Sequence, residues 1–220
     1  MEVTFPRIVL AEFNTHRVFS RNSASSRAIP IEKRIAAIES DPFVPESFGK
    51  NRPGMQATDN LSDLEAAEAR HAWLGAANDA IDRARQLAKL GVHKQLVNRL
   101  IEPFCWHTVI VTATEWENFF ALRCHIDAQP EIGRIAHMMK KVYGESKPTL
   151  LENGSWHLPL VDDVGVLVGE GLTIEDIKRV SIGRCARVSY LTHDGKRDPH
   201  ADIELDRKST RLNSSHVSES

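Results

Sequence analysis

The chain has 220 residues, 41% of them hydrophobic and 26% charged, with a formal net charge of -2. This is the make-up of an ordinary soluble globular protein, long enough for one sizeable core. The slightly acidic balance gives no reason to expect bulk electrostatic binding to nucleic acid, so any anion site has to be a local cluster of positive charge. No apolar run reaches bilayer length, and the N-terminus lacks the basic-then-apolar order of a signal peptide, so a cytoplasmic protein with no membrane partner is expected. Cys105, Cys124 and Cys185 are far apart with no C-x-x-C pair. Neither a metal site nor a disulfide framework is indicated, and each is expected to be a small buried thiol.

Val3 to Phe5 has the pattern of a strand end, and Pro6 is suited to open a helix because its missing N–H would be unpaired there. A short helix through Phe13 should lead into the polar stretch Asn14–Pro30, which gathers His16, Arg17, Arg21 and Arg27 among four serines. Guanidinium forks, hydroxyls and backbone N–H groups suit an anion such as phosphate, although a polar surface loop with a helix cap has the same composition. Ile31–Glu39 reads as a short helix, and the proline- and glycine-bearing stretch Asp41–Asn60 as a long loop.

Ser62 and Glu65 form a capping-box pattern before an alanine-rich helix to Leu90, with Trp73, Ala77, Ile81, Ala84 and Leu87 along one side and Gly91 as its stop. Asp79 and Arg83, at i,i+4, are expected on its solvated face. A further helix spans His93–Ile101, and Trp106–Thr112 is a β-branched strand. In Glu115–His125 the residues Trp116, Phe119, Phe120 and Arg123 recur at helical spacing, which puts an arginine on an aromatic stripe. A buried guanidinium needs an anionic or polar partner: Asp127, four residues on, or a bound ligand. Ile132, Ile135, Ala136 and Met139 mark another amphipathic helix, Lys147–Gly171 reads as loop, and Thr173–Val180 as helix. The serine-rich end, residues 208–220, is expected to be disordered or non-native, with the fold confined to residues 1–207.

Two separated segments resemble one family. Thr15-His16-Arg17, seven residues, then Ser25 is similar to the R-H-R, seven residues, S signature of the flavin-dependent thymidylate synthases, and Ser20, Asn22, Ser25 and Arg27 fit the family's S-x-N-x-x-S-x-R. Arg99-Leu-Ile-Glu-Pro103 and the run from Thr112 to Ile132 resemble the family's A-R-x-x-L-P, N-F-x-x-L-R and A-Q-x-E-I motifs. Cys185-Ala-Arg-Val-Ser-Tyr190 is similar to an A-R-V-S-[FY] motif that the family carries near its N-terminus. Its late position suggests circular permutation, and the absence of an H-x-S-P-F-E-H-like segment after it suggests truncation. Thr15, Ser23 and Glu12 stand where the family has arginine, glutamate and a substrate-facing glutamine.

The resemblance implies an α+β, helix-rich fold with a small sheet and an enzyme that methylates dUMP to dTMP. Methylenetetrahydrofolate would be the carbon donor, FAD the hydride carrier and NADPH the reductant. Carried over by motif position, Ser25, Arg27 and Arg99 would bind the nucleotide phosphate and sugar, with Glu12 also on the substrate side. Arg123 would face the uracil and stabilise negative charge developing on it. His16, Arg17 and Asn118 would contact FAD, with Asp127 a further cofactor candidate. The family assembles as a homotetramer with active sites between subunits. The alternative is a non-catalytic nucleotide-binding protein that keeps the phosphate-binding residues without a working flavin pocket.

Overall fold

A computed structural model describes residues 1–54, 57, 59–188 and 198–213, with side chains through residue 207. It divides into two compact units, Met1–Ser146 and Lys147–Ser220.

The first unit is built on a three-stranded antiparallel sheet in the order β1 (Glu2–Pro6), β3 (Trp106–Thr112), β2 (Ser20–Ser23). β3 alternates between buried and open positions, with His107, Val109 and Val111 on the covered side, as expected of a strand with one face on the core. Its register is fixed on both edges: Phe5 stands opposite His107, and Ser20 opposite Thr112. Pro6 ends β1 rather than opening a helix, and its ring-locked φ of -58° leads into a 3-10 turn, Arg7–Val9, followed by α1 (Leu10–Asn14). The polar stretch after α1 is not all loop. Its Ser20–Ser23 segment is β2, a strand without an apolar alternation, held by backbone pairing to β3.

The long helix α3 (Asp63–Lys89) starts at the expected capping box, with Ser62 and Glu65 bonded reciprocally, and stops at Gly91, whose φ is +80°. Arg83 donates to Gln86 (3.0 Å) on its outer face. Ala77, Ile81 and Ala84 pack with Ile35 and Ile38 of α2 (Ile31–Ser40) and Val97 of α4 (Lys94–Leu100), forming one hydrophobic cluster. Trp73 is half-buried beside it and donates from Nε1 to the Phe43 carbonyl (2.8 Å). A second cluster lies under the sheet, where Phe5, Phe13, Phe19, Val109 and Val111 meet α5 (Glu117–Arg123) and α6 (Pro130–Glu145). α6 buries Ile132, Ile135, Ala136 and Met139, the face read from its spacing.

The second unit is helical. The segment Lys147–Gly171 contains α7 (Val164–Gly169), too short for its period to register in the sequence. α8 (Ile174–Val188) runs eight residues beyond the expected end at Val180, so Arg184, Cys185 and Arg187 are helical. Ser189 and Tyr190 of the C-A-R-V-S-Y motif lie outside the described residues. α9 (Pro199–Asn213) enters the segment set apart as a tail, and residues 214–220 lie outside the described residues. The core of this unit is Val161, Leu167, Ile177, Val180 and Ile203. Cys105 is buried, whereas Cys124 and Cys185 are half-buried. Among the described residues, no helix is long and apolar enough to cross a membrane.

Candidate functional site

α1 delivers the chain into the turn that carries His16. The ring of His16 is 6% exposed and packs edge-on against Phe119 (4.9 Å between centroids) and at a tilt on Phe19 (5.8 Å). In that aromatic cage its Nε2 accepts a hydrogen bond from Nε of Arg123 (2.9 Å). Arg123 Nη2 also reaches Thr15 Oγ1 (3.4 Å), and Arg21 Nη1 donates to the His16 carbonyl (2.7 Å). Burial, together with the Arg123 and Arg21 guanidinium groups, pushes the His16 pKa below its ordinary value. A neutral imidazole is what the arrangement requires, since its nitrogen serves as acceptor.

This overturns the pairing of Arg123 with Asp127. α5 ends at Arg123, and Cys124 leaves the helical conformation with ψ 39°, so Asp127 does not fall on the next turn. Asp127 instead faces His125 (3.4 Å) and is exposed. Thr15, the departure from the family's first arginine, supplies a hydroxyl to Arg123. Glu12 of α1 is half-buried, and its Oε2 is buried without a hydrogen-bond partner among the described residues. Asn118, also on α5, is exposed. Five positions from Arg123, it lies roughly 140° around the helix, so the two stand on different faces.

A second group forms where the turn after β2 meets α4. Ser25 and Arg27 are exposed, while Ser26 between them is buried. Asn98, fully buried on α4, donates from Nδ2 to the carbonyls of Ser26 (2.6 Å) and Ile29 (2.8 Å), and Lys94 Nζ reaches the Ala28 carbonyl (3.3 Å). Arg99, the next residue after Asn98, is exposed on the helix that holds this turn. Beneath it, Ser26 Oγ donates to Glu102 Oε1. Arg7 contacts the same carboxylate oxygen (3.4 Å) and donates from Nη1 to His107 Nε2 (2.8 Å). Burial, with Arg7 and Arg34 nearby, lowers the His107 pKa to about 3. Arg34 is itself buried, with no partner for its Nε among the described residues.

Two residues at the centre of this group, Asn98 and Glu102, went unnoticed in the sequence. They occupy the alanine and leucine positions of the A-R-x-x-L-P pattern that surrounds Arg99. A polar residue at an apolar position was the signal that could have found them. Arg17, Arg21, Arg27, Arg99 and Arg123 make no carboxylate ion pair among the described residues. Arg7, Arg85, Arg134 and Arg184 do. Arg34, Arg70, Arg83 and Arg179 also lack a carboxylate partner among the described residues, so what sets the first five apart is their place in the polar stretch, on α4 and at the end of α5. A separate cleft of about 300 Å³, lined by Phe43, Trp106, Glu131, Arg134 and Met138 among others, contains none of these residues.

A family model described as thymidylate synthase complementing protein matches residues 1–149, which takes in the whole first unit. The chain belongs to this family. Its two motif-bearing groups, around Arg123 and around Arg99, both lie within the matched residues, whereas the C-A-R-V-S-Y segment lies outside them. No curated protein sequence matches the chain. Solved structures that share its fold include two at 17% identity. Both are of the UMP/dUMP methylase PolB from Streptomyces cacaoi, one bound with 5-Br dUMP and one with 5-Br UMP. The first has a TM-score of 0.54, with 66% of this chain and 64% of that one covered; for the second the values are 0.55, 66% and 67%. The chain therefore spans about two thirds of the length of PolB.

Proposed function

We propose that this chain is a flavin-dependent thymidylate synthase, methylating dUMP to dTMP with methylenetetrahydrofolate as carbon donor and NADPH as reductant. The observation that carries this reading is that Arg17, Arg21, Arg27, Arg99 and Arg123, each without a carboxylate partner among the described residues, gather in the motif-bearing segments of the matched family region: the polar stretch, α4 and the end of α5. Protein cations left without carboxylates fit anionic ligands, here a nucleotide phosphate and a dinucleotide cofactor.

In this reading Ser25, Arg27 and Arg99 bind the dUMP phosphate and sugar, on a turn fixed from below by α4. Arg123 faces the uracil. Its Nε is committed to neutral His16 and its Nη2 reaches Thr15 Oγ1, which orients the guanidinium and leaves Nη1 to stabilise charge developing on the ring. The donor set fits FAD in chemistry: Arg17, Asn118 and the Arg123 and Arg21 guanidinium groups beside buried His16 suit a pyrophosphate, while on the substrate side the buried, unpartnered Glu12 Oε2 suits a ligand N–H. FAD, when bound, supplies the hydride chemistry, and the chain's residues hold and orient what reacts. Glu12 is assigned to the substrate side, and Asp127 to the edge of the cofactor. A homotetramer with sites between subunits and a cytoplasmic setting complete the reading.

The test is release of the C5 hydrogen of dUMP by purified protein. It should require the folate donor and reductant together, and the protein should carry flavin absorbance. Well-folded protein that is colourless and indifferent to added FAD would overturn the reading. Because PolB is described with both 5-Br dUMP and 5-Br UMP, the assay should be run with UMP beside dUMP to define which sugar this chain accepts.

A further inference from the structure

The turn from Ser25 to Ile29 belongs to no helix or strand, yet it presents Ser25 and Arg27 outward. One internal bond, from the Ala28 N–H to the Ser25 carbonyl (2.9 Å), is too little to fix it. Its shape is imposed by α4 and the 3-10 turn Glu102–Phe104 that follows. Asn98 gives protons from one buried nitrogen to the carbonyls of Ser26 and Ile29, and the Ser26 hydroxyl is taken by Glu102. Glu102 is joined through Arg7 to His107 on β3, so the turn is tied to the sheet as well as to the helix.

A second observation separates this clamp from ordinary packing. The Asn98 Oδ1 is buried with no partner among the described residues. An unsatisfied buried acceptor lowers stability, and an apolar residue at this place would avoid that cost. What the amide achieves is a single conformation for the turn. We infer that Asn98 and Glu102 are positioning residues for the anion site, which preorganise Ser25 and Arg27 beside Arg99 and so set the affinity for the phosphate of a nucleoside monophosphate. The inference rests on the assignment of Ser25, Arg27 and Arg99 to a nucleotide phosphate.

The experiment is calorimetric titration of the full chain with dUMP and with deoxyuridine, which lacks the phosphate. It compares wild type with Asn98→Ala, Ser26→Ala, Glu102→Gln and Arg27→Ala. Asn98→Ala and Ser26→Ala should each weaken dUMP binding about tenfold while leaving deoxyuridine within about twofold. Glu102→Gln keeps an oxygen acceptor for Ser26 but loses the charge that holds Arg7, and should weaken dUMP binding less than Ser26→Ala does, again with deoxyuridine little changed. In turnover, Asn98→Ala should raise KM for dUMP by a similar factor with kcat within about twofold.

Equal losses for dUMP and deoxyuridine would reduce the clamp to a structural role and overturn the inference. So would unchanged dUMP binding in Asn98→Ala and Ser26→Ala while Arg27→Ala is impaired, a result that leaves the phosphate assignment standing. If Arg27→Ala is also unimpaired, or wild type does not prefer dUMP to deoxyuridine, the phosphate assignment itself fails. Should Asn98→Ala not fold, Ser26→Ala, which deletes one hydroxyl, decides alone.

Discussion

Arg123 and His16, on α5 and in the turn after α1, meet through a single hydrogen bond of 2.9 Å from Nε to Nε2. The bond uses the one guanidinium nitrogen that cannot form part of the terminal fork, so Nη1 stays available for a ligand while Nη2 makes only a long contact with Thr15 Oγ1 (3.4 Å). It also gives the half-buried cation a polar neighbour without a neutralising charge, which keeps its field intact for an anion or a developing negative charge.

The consequence for catalysis is a graded series. Arg123→Ala should lower kcat by about a hundredfold or more, the usual effect of removing a preorganised charge-stabilising donor, while the melting temperature changes little. His16→Phe would fill the cage formed by Phe19 and Phe119 but leave Arg123 without its acceptor. It should lose less activity than Arg123→Ala and more than His16→Gln, which retains an oxygen acceptor. Steady-state kinetics on the three proteins checks the order, and equal activity in His16→Phe and wild type would show that the bond does not orient Arg123.

A second prediction concerns acid stability. His107 is 3% exposed, and its pKa falls from 6.5 to about 3; that of His16 is also lowered. Between pH 6.5 and about 3 the unfolded chain carries a proton on residue 107 that the folded chain does not, so folding weakens as pH drops. The slope approaches about 1.4 kcal/mol per pH unit for each histidine so affected. Glu65 and Asp176, whose pKa values are lowered by their capping hydroxyls on Ser62 and Thr173, add losses only further into the acid range. The window just below pH 6.5 therefore reports the histidines. Denaturant unfolding of His107→Gln, which keeps an acceptor for Arg7 but cannot titrate, should show a shallower slope there than wild type.

How far these relationships could be read in advance depended on whether they were local. The capping box at Ser62 and the apolar period through Ile81 specify α3 within a few turns, and the structure agrees. β2 has no such signature: Ser20, Arg21, Asn22 and Ser23 are all polar, and they form a strand because the free edge of β3 supplies backbone partners. Arg123 announced a need for a partner, but sequence proximity named Asp127, and the helix ends too soon for i,i+4 geometry to apply. Asn98 gave no periodic signal at all. It lies beside Val97 on a seven-residue helix, and its function is defined by two carbonyls about seventy positions earlier in the chain.

The two exposed arginines of the phosphate group give a third prediction. Arg27→Ala and Arg99→Ala should each weaken dUMP binding by about tenfold or more, with little effect on deoxyuridine, because a guanidinium bond to phosphate is charge-assisted. Neither residue is buried or ion-paired among the described residues, so both variants should melt with wild type. Raising the salt concentration should weaken wild-type binding and narrow the difference from the variants.

The last prediction belongs to the second unit. Where α8 passes α9, a Cβ built on Gly183 would lie 2.3 Å from the Asp202 carbonyl oxygen and 2.8 Å from its Cα, both backbone atoms that no rotamer change can move. The contact is reinforced by charge. The Asp202 carboxylate is 1% exposed and accepts from Nε of Arg184 (3.4 Å) and Nε of Arg187, while Arg184 also holds Asp163 (2.9 Å) and the Leu160 carbonyl (2.9 Å). Gly183→Ala must push α9 outward and lengthen both bonds to Asp202, costing about 1–3 kcal/mol from overpacking, with weakened ion pairing in addition. Asp202→Ala would instead leave two arginines short of an anion at unchanged backbone spacing, at a cost of about 3–5 kcal/mol. Hydrogen exchange should show protection lost in α8 and α9 in both variants. α3 and α6, in the other compact unit, should exchange as in wild type. Wild-type protection of α8 in Gly183→Ala would mean that the helices can separate at this crossing without loss, and that the glycine is not what allows their approach.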